Sequence, residues 1–235
     1  MSVIYFIRHS QASFAADNYD QLSETGHRQS GILAEYLAEY GPTFDAVYSG
    51  SMQRHRETME PMLTVLDKSG NQLSPTILPE LNEYQSNPIV KSHLPLVLEE
   101  NPDLKKYTDT MLTDRKSFQL IFQAIMTAWV DGRFHVDGLE TWGQFQNRVQ
   151  TAVHRIMAEA GRGKTVLVFT SGGPIGVIMQ LALGTSDQTA IRINWNVRNA
   201  SVSTFFYNDD NIMLSSFNAV PHLEHRKDNT LITYR

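Results

Sequence analysis

Apolar positions in this chain follow two alternating periods. Val3 to Ile7 is an unbroken run of β-branched, aromatic and aliphatic residues, the pattern of a central strand covered on both faces. It stops at Arg8 and His9. From Ser23, a candidate helix cap, apolar residues recur at 32, 33, 36, 37 and 40, and Gly41-Pro42 closes the predicted helix after Tyr40. Ala46 to Tyr48 predicts a second short strand, followed by a helix from about Met52 to Asp67, and Thr76 to Leu78 predicts a third strand. Further on, Thr141 to Ala160 reads as a long helix and Val166 to Phe169 as a buried strand. Pro174 to Leu183 reads as a helix closed by Gly184, and Val202 to Tyr207 and Ile212 to Phe217 as strands. This alternation predicts an α/β fold of three layers, α/β/α, around a mostly parallel central sheet, with ligands gathered at the carboxyl ends of its strands.

Residues 88 to 135 break the alternation. Phe118, Phe122, Ile125, Met126 and Trp129 mark amphipathic helix, polar turns separate the stretches, and no strand is indicated. The expected organisation is a single domain over 1–235 with residues 88–135 as a helical insertion or cap. No internal repeat or low-complexity segment is present.

Composition narrows the partners. Twenty basic against twenty-five acidic side chains give a formal charge of -5, which disfavours nucleic acid, so any attraction for anions must be local. There is no cysteine, hence no disulfide, zinc finger or thiol nucleophile. The apolar start MSVIYFIRHS lacks a basic leader and is too short to span a membrane, so the expectation is a cytoplasmic protein without a membrane partner. Neither composition nor motif specifies an oligomeric state.

Two motifs mislead. GRGKT, Gly161 to Thr165, resembles the end of a phosphate-binding loop, but that motif needs strand, loop, then helix and a glycine where Ala158 stands. His222 and His225 share metal-ligand spacing with only Glu224 nearby, so a solvated terminal segment is expected and no metal.

The chemistry gathers at four predicted strand ends. Arg8 and His9 pair a guanidinium, which can fork two phosphate oxygens, with an imidazole able to attack phosphorus. Arg54, about one turn into a helix, can reach back to the same mouth, whereas Arg56 is expected on the solvated face. In LPELNEY, Leu78 to Tyr84, Glu80 or Glu83 can act as a general acid if its pKa is raised. In VLVFTSGGPIG, Val166 to Gly176, the amides of Gly172 and Gly173 can face an anion, and Ser171 is the one side chain capable of covalent chemistry.

Taken in order, these segments, with LSETGHRQ at 22–29, GLETWGQFQNRV at 138–149 and NAVPHL near the end, resemble the histidine phosphatase superfamily, which includes the phosphoglycerate mutases. The resemblance implies a phosphoglycerate mutase-like fold and a metal-independent, cofactor-free phosphomonoester hydrolase. Its substrate would be a small phosphorylated metabolite or a phosphoprotein. It implies His9 as the nucleophile that becomes phosphohistidine, Arg8 and Arg54 as the phosphate clamp, and Glu83 as proton donor. Ser10, Gln11, Ser23, Ser171 and Gly172 would line the phosphate site, Gln11 and Ser23 equally well shaping turns.

The sequence departs from the family pattern at Ser171, where a second histidine is usual, at Ser10 and Gln11, where Gly and Glu are frequent, and at Ala15, where mutase-like members carry Asn. Losing a charged donor costs about two to three decades in rate. Ser171, backbone amides and His222 or His55 are the candidate compensators, although His27 and His55 are otherwise expected as solvated helix residues. Two alternatives remain: a catalytically impaired module that binds a phospho-ligand or a protein, and a phosphoglycerate mutase-type phosphotransferase. His93 and His135 are assigned to the insertion, Trp142 and Trp195 to packing, and Asn199 to bracing the site.

Overall fold

The computed structural model describes residues 1–13 and 20–234 of the 235. Six strands form one sheet in the order β3-β2-β4-β1-β5-β6: β1 (Ser2–Arg8), β2 (Ala46–Ser49), β3 (Thr76–Ile77), β4 (Thr165–Thr170), β5 (Val202–Tyr207) and β6 (Ile212–Ala219). β3, β2, β4 and β1 run parallel, while β5 pairs antiparallel to both β1 and β6. The sheet is therefore mostly parallel, as its apolar runs predict.

The pleat of the two central strands explains the layers. Ile4 and Phe6 of β1 and Val166 and Val168 of β4 face one side. There they pack with α5 (Trp142–Ala160) and α6 (Gly172–Leu183) in a core that also takes in α3 (Ser86–Glu100), α4 (Arg115–Val130) and α7 (Asp187–Asn194). Ile7, Leu167 and Phe169 face the other side, against α1 (Glu24–Tyr40) and α2 (Gln53–Lys68). Val166 to Phe169 have no exposed surface, which is why β4 reads as a continuous apolar run.

The chain leaves β1 toward the α1 face and leaves β4 toward the α6 face. Adjacent parallel strands whose helices depart to opposite faces open a crevice beyond their carboxyl ends, and that is where open α/β sheets bind ligands. Helix caps follow the sequence closely. Ser23 caps α1 through the Gly26 amide, Thr141 and Gln144 form a reciprocal capping box on α5, and Gly184 ends α6 in the left-handed conformation. Between residues 86 and 130 the regular structure is all helical: α3, a 3-10 turn at Pro102–Tyr107 and α4. Among the described residues no helix is long and apolar enough to cross a membrane.

Candidate active site

The crevice beyond β1 and β4 assembles side chains from every predicted strand end. His9 follows β1 and is almost fully buried, with its backbone amide bonded to the Thr170 carbonyl of β4. The Asn199 side-chain amide and the Ala200 backbone amide both reach the His9 carbonyl, the former at 3.2 Å, so Asn199 braces this corner as expected. The His9 Nδ1 lies 2.7 Å from the Ser10 carbonyl. A carbonyl only accepts, so Nδ1 carries the proton and Nε2 presents a lone pair. Burial, then the positive fields of Arg54 and Arg8, hold this imidazole's pKa well below its usual value and keep it neutral.

The two guanidinium groups are anchored differently. Arg8 donates through Nη1 to the Val197 carbonyl. Arg54, buried in the first turn of α2, donates through Nη1 to Asp20 Oδ1 at 2.6 Å. The other Asp20 oxygen accepts the Gln53 amide at 2.8 Å and so caps α2, whose N-cap residue Met52 makes no side-chain cap. One carboxylate thus starts the helix and orients the arginine it carries.

Glu83 enters the site from the loop after β3. Its Oε2 accepts the Gly173 amide at 3.1 Å, in the first turn of α6. A Cβ on Gly173 would come within 2.0 Å of Glu83 Oε1, so the close approach requires glycine there. Desolvation raises the Glu83 pKa, against the opposing pull of the Gly173 amide, Arg54 and Arg8. Both arginines therefore act on both the nucleophile candidate and the acid candidate, and the four groups share one electrostatic site. The backbone carbonyls of Glu80 and Asn82 both accept Arg148 Nη1 at 2.7 Å. Arg148, ion-paired with Glu140 at 2.5 Å, pins the loop that presents Glu83.

Placement of the remaining candidates is mixed. Ser10 is wholly buried beside His9, its amide donates to Thr58 Oγ1, and its hydroxyl has no partner among the described residues. Gln11 and Ser23 hold each other: the Ser23 hydroxyl donates to Gln11 Oε1 at 2.7 Å while also accepting the Gly26 amide. Gly172 opens α6 two residues before the predicted start, pressed by the Asn194 side chain, whose Nδ2 donates to the Tyr84 hydroxyl. Ala15 lies outside the described residues.

Two histidines are corrections. His55, expected in solvent, has no exposed surface; its ring centroid is 5.8 Å from that of His9, and its Nε2 lies 2.7 Å from Ser171 Oγ. Its spacing carried the signal, because His55, Met59, Met62 and Leu66 form one buried helical stripe. His222, expected in a solvated tail, is buried beside Tyr36 of α1, and its burial lowers its pKa to about 4. Arg56, His27 and His225 are exposed, as read. Among the described residues no three metal-binding side chains come together. Asp20 and Arg148 were not legible as site residues, since each acts through loop contacts distant in sequence.

A cleft of about 880 Å³ is lined by α4 residues, among them Arg115, Lys116, Phe118 and Phe122, with Trp195, Asn196 and Tyr234. Its lining residues Trp195 and Asn196 lie in the chain between Asn194, which presses on Gly172, and Val197, which accepts from Arg8.

No curated protein sequence matches the chain. Solved structures of similar fold include a phosphoglycerate mutase from Bacillus anthracis, at 20% identity and TM-score 0.67 over 97% of each chain. A phosphoserine phosphatase from Entamoeba histolytica in complex with 3-phosphoglyceric acid superposes at 15% identity and TM-score 0.63, over 95% of this chain and 100% of that one. A mycobacterial glucosyl-3-phosphoglycerate phosphatase with inorganic phosphate does so at 18% and 0.62, over 94% and 98%. Residues 4–116 and 89–220 match the family described as the histidine phosphatase superfamily (branch 1), and the chain belongs to it.

Proposed function

We propose that this protein is a metal-independent phosphomonoester hydrolase that works through a phosphohistidine on His9. The observation that carries the reading is the setting of that imidazole: its Nδ1 is locked on the Ser10 carbonyl so that Nε2 presents its lone pair, and it lies in the field of the two arginines that also act on the Glu83 carboxyl group. The roles follow from charge. Arg8 and Arg54 neutralise the equatorial oxygens of a bound phosphoryl group, and the amide of Gly172, among the first N–H groups of α6, adds a neutral donor. Nε2 forms the N–P bond as the bond from phosphorus to the leaving oxygen breaks, and protonated Glu83 gives its proton to that oxygen. Water then attacks phosphorus, Glu83 takes the proton it sheds, and the N–P bond returns its electrons to His9.

Beyond the phosphate, the helical segment 88–135 acts as a cap that supplies contacts to the leaving group. Phe122 and Trp195 give the cleft an apolar wall, Arg115 and Lys116 a cationic rim, and the buried indole N–H of Trp195 has no acceptor among the described residues. This wall suits a phosphorylated small molecule or peptide with an aromatic or extended apolar part.

Trapping the phosphoenzyme tests the reading. Acid-labile phosphate from an aryl phosphate is expected on wild type, with none on His9→Ala and a loss of turnover of about four decades or more. Tight phosphate binding without turnover or a trapped intermediate would instead identify a phospho-ligand binding module.

A further inference from the structure

We infer that His55 and Ser171 act as one unit, in which His55 donates through Nε2 to the Ser171 hydroxyl and turns that hydroxyl's proton toward the phosphoryl group above His9. The inference rests on the phosphomonoesterase reading and adds a positioning residue to it.

Four observations lead there. Ser171 is the N-cap of α6, a position where a serine oxygen normally accepts a helix amide, yet it makes no such bond. Its hydroxyl is committed to His55 Nε2 at 2.7 Å instead, with both residues wholly buried. The His55 ring is seated on Gly50, where a Cβ would come within 2.2 Å of Nδ1; glycine at that position leaves the ring its place. The pair also flanks the nucleophile: Ser171 follows Thr170, the β4 partner of Arg8, and the His55 and His9 rings are 5.8 Å apart.

Direction follows from the other nitrogen. His55 Nδ1 is buried and has no partner among the described residues. A buried N–H without an acceptor is rarer and costlier than an acceptor left bare, so the proton belongs on Nε2 and points at Ser171. Burial and Arg54 hold the imidazole neutral, so it works by hydrogen bonding and not as a cation. A hydroxyl has one proton to give. With its oxygen accepting from His55, that proton is directed away from the ring, and accepting one hydrogen bond strengthens the one it donates. Ser171 is then the group that touches the phosphoryl oxygen, and His55 acts through it.

A double-mutant cycle decides the matter, because packing and relay predict different arithmetic. With 4-nitrophenyl phosphate, Ser171→Ala is expected to lower kcat about 100-fold and His55→Ala roughly 10-fold, with KM little changed. Adding His55→Ala to Ser171→Ala should cost nothing further. His55→Gln, whose amide can donate from nearly the same place, should recover most of the kcat. Thermal melts separate unfolding from loss of function, and orthovanadate gives a readout that needs no turnover. Wild type should bind vanadate more tightly than inorganic phosphate, and that preference should fall in His55→Ala and vanish in Ser171→Ala.

Additive losses in the cycle, or a His55→Ala variant with wild-type kcat and vanadate preference, overturn the inference while leaving the hydrolase reading intact. Undiminished trapping and turnover in His9→Ala overturn the hydrolase reading itself. If wild type neither turns over the ester nor binds vanadate, both fall.

Discussion

The edge of the sheet beyond β1 and β4 and the layer made by α3 and α4 are both buried, yet they are built on opposite terms. At the sheet edge nearly every side chain is polar and committed to a named partner: His9 to the Ser10 carbonyl, Arg54 to Asp20, Glu83 to the Gly173 amide, His55 to Ser171. In the helical layer Ile121, Ile125, Met126 and Trp129 fill volume without directed bonds, apart from the Trp129 indole on the Glu140 carbonyl. Specified polar contacts make chemistry at a cost in desolvation; apolar packing makes stability and tolerates exchange. The two regions should therefore fail in different currencies when altered, one in rate and the other in stability.

The largest separation is expected at Glu83. Glu83→Gln keeps the shape and removes the proton, so turnover of an alkyl phosphate, whose leaving oxygen needs that proton, should drop by about two to four decades. The initial burst from an aryl phosphate with an acidic leaving group, which reports N–P bond formation before Glu83 is needed as base, should lose far less. The pH dependence has a definite sign. Desolvation raises the Glu83 pKa, so the acid form is lost as pH rises through that raised value, and the rate falls with it on the alkaline side. Glu83→Gln should abolish that limb. Stability should not fall, because the substitution removes a carboxyl whose charged form is penalised by burial. A variant that melts earlier and loses alkyl turnover and aryl burst equally would show that Glu83 is a structural member of the network.

The helical layer should show the reverse. Ile125 has no exposed surface and lies in the main core beside Trp129. Ile125→Ala should cost about 2 to 5 kcal/mol of unfolding free energy while the kcat of the folded enzyme changes little, measured by denaturant melts and by assays well below the melting range. A large loss of kcat in a still-folded Ile125→Ala protein would couple the layer to the chemistry and erase the contrast.

The same contrast decides what could be read from the sequence. Strand ends were legible because an apolar run stops abruptly at Arg8-His9 or at Ser171-Gly172, and a chain cannot bury that change of character without a purpose for it. Glu83 was separable from Glu80 by resemblance alone; physically Glu83 is marked by Gly173, ninety residues away, whose amide it accepts and whose missing side chain leaves room for its carboxylate. His55 was misplaced because it sits between Arg54 and Arg56, although its spacing to Met59, Met62 and Leu66 marks the buried stripe. Asp20 could not be found at all, since capping α2 and holding Arg54 are contacts across more than thirty positions. In α4 the apolar stripe was visible but its division was not: Ile121, Ile125, Met126 and Trp129 turn inward, while Phe118 and Phe122 stack at 5.3 Å and face the cleft.

That division gives the smallest and most discriminating test. Phe122 and Trp195 lie 6.2 Å apart across the cleft wall, and Trp195 is followed two residues later by Val197, the carbonyl that holds Arg8. If the cleft takes the leaving group, Trp195→Ala removes one aromatic contact, worth a factor of up to about ten. The loss should appear in KM for bulky aromatic phosphates and be absent for a small alkyl phosphate. Trp195→Phe should keep the stacking and lose only what the indole N–H contributes. The alternative route runs through the backbone: if Trp195 matters because it positions Val197, then Trp195→Ala displaces Arg8 and lowers kcat for every ester alike. Size-dependent KM effects would make the helical layer a specificity surface laid over an independent catalytic edge, whereas a uniform kcat effect would mean the two regions share a residue and cannot be altered separately.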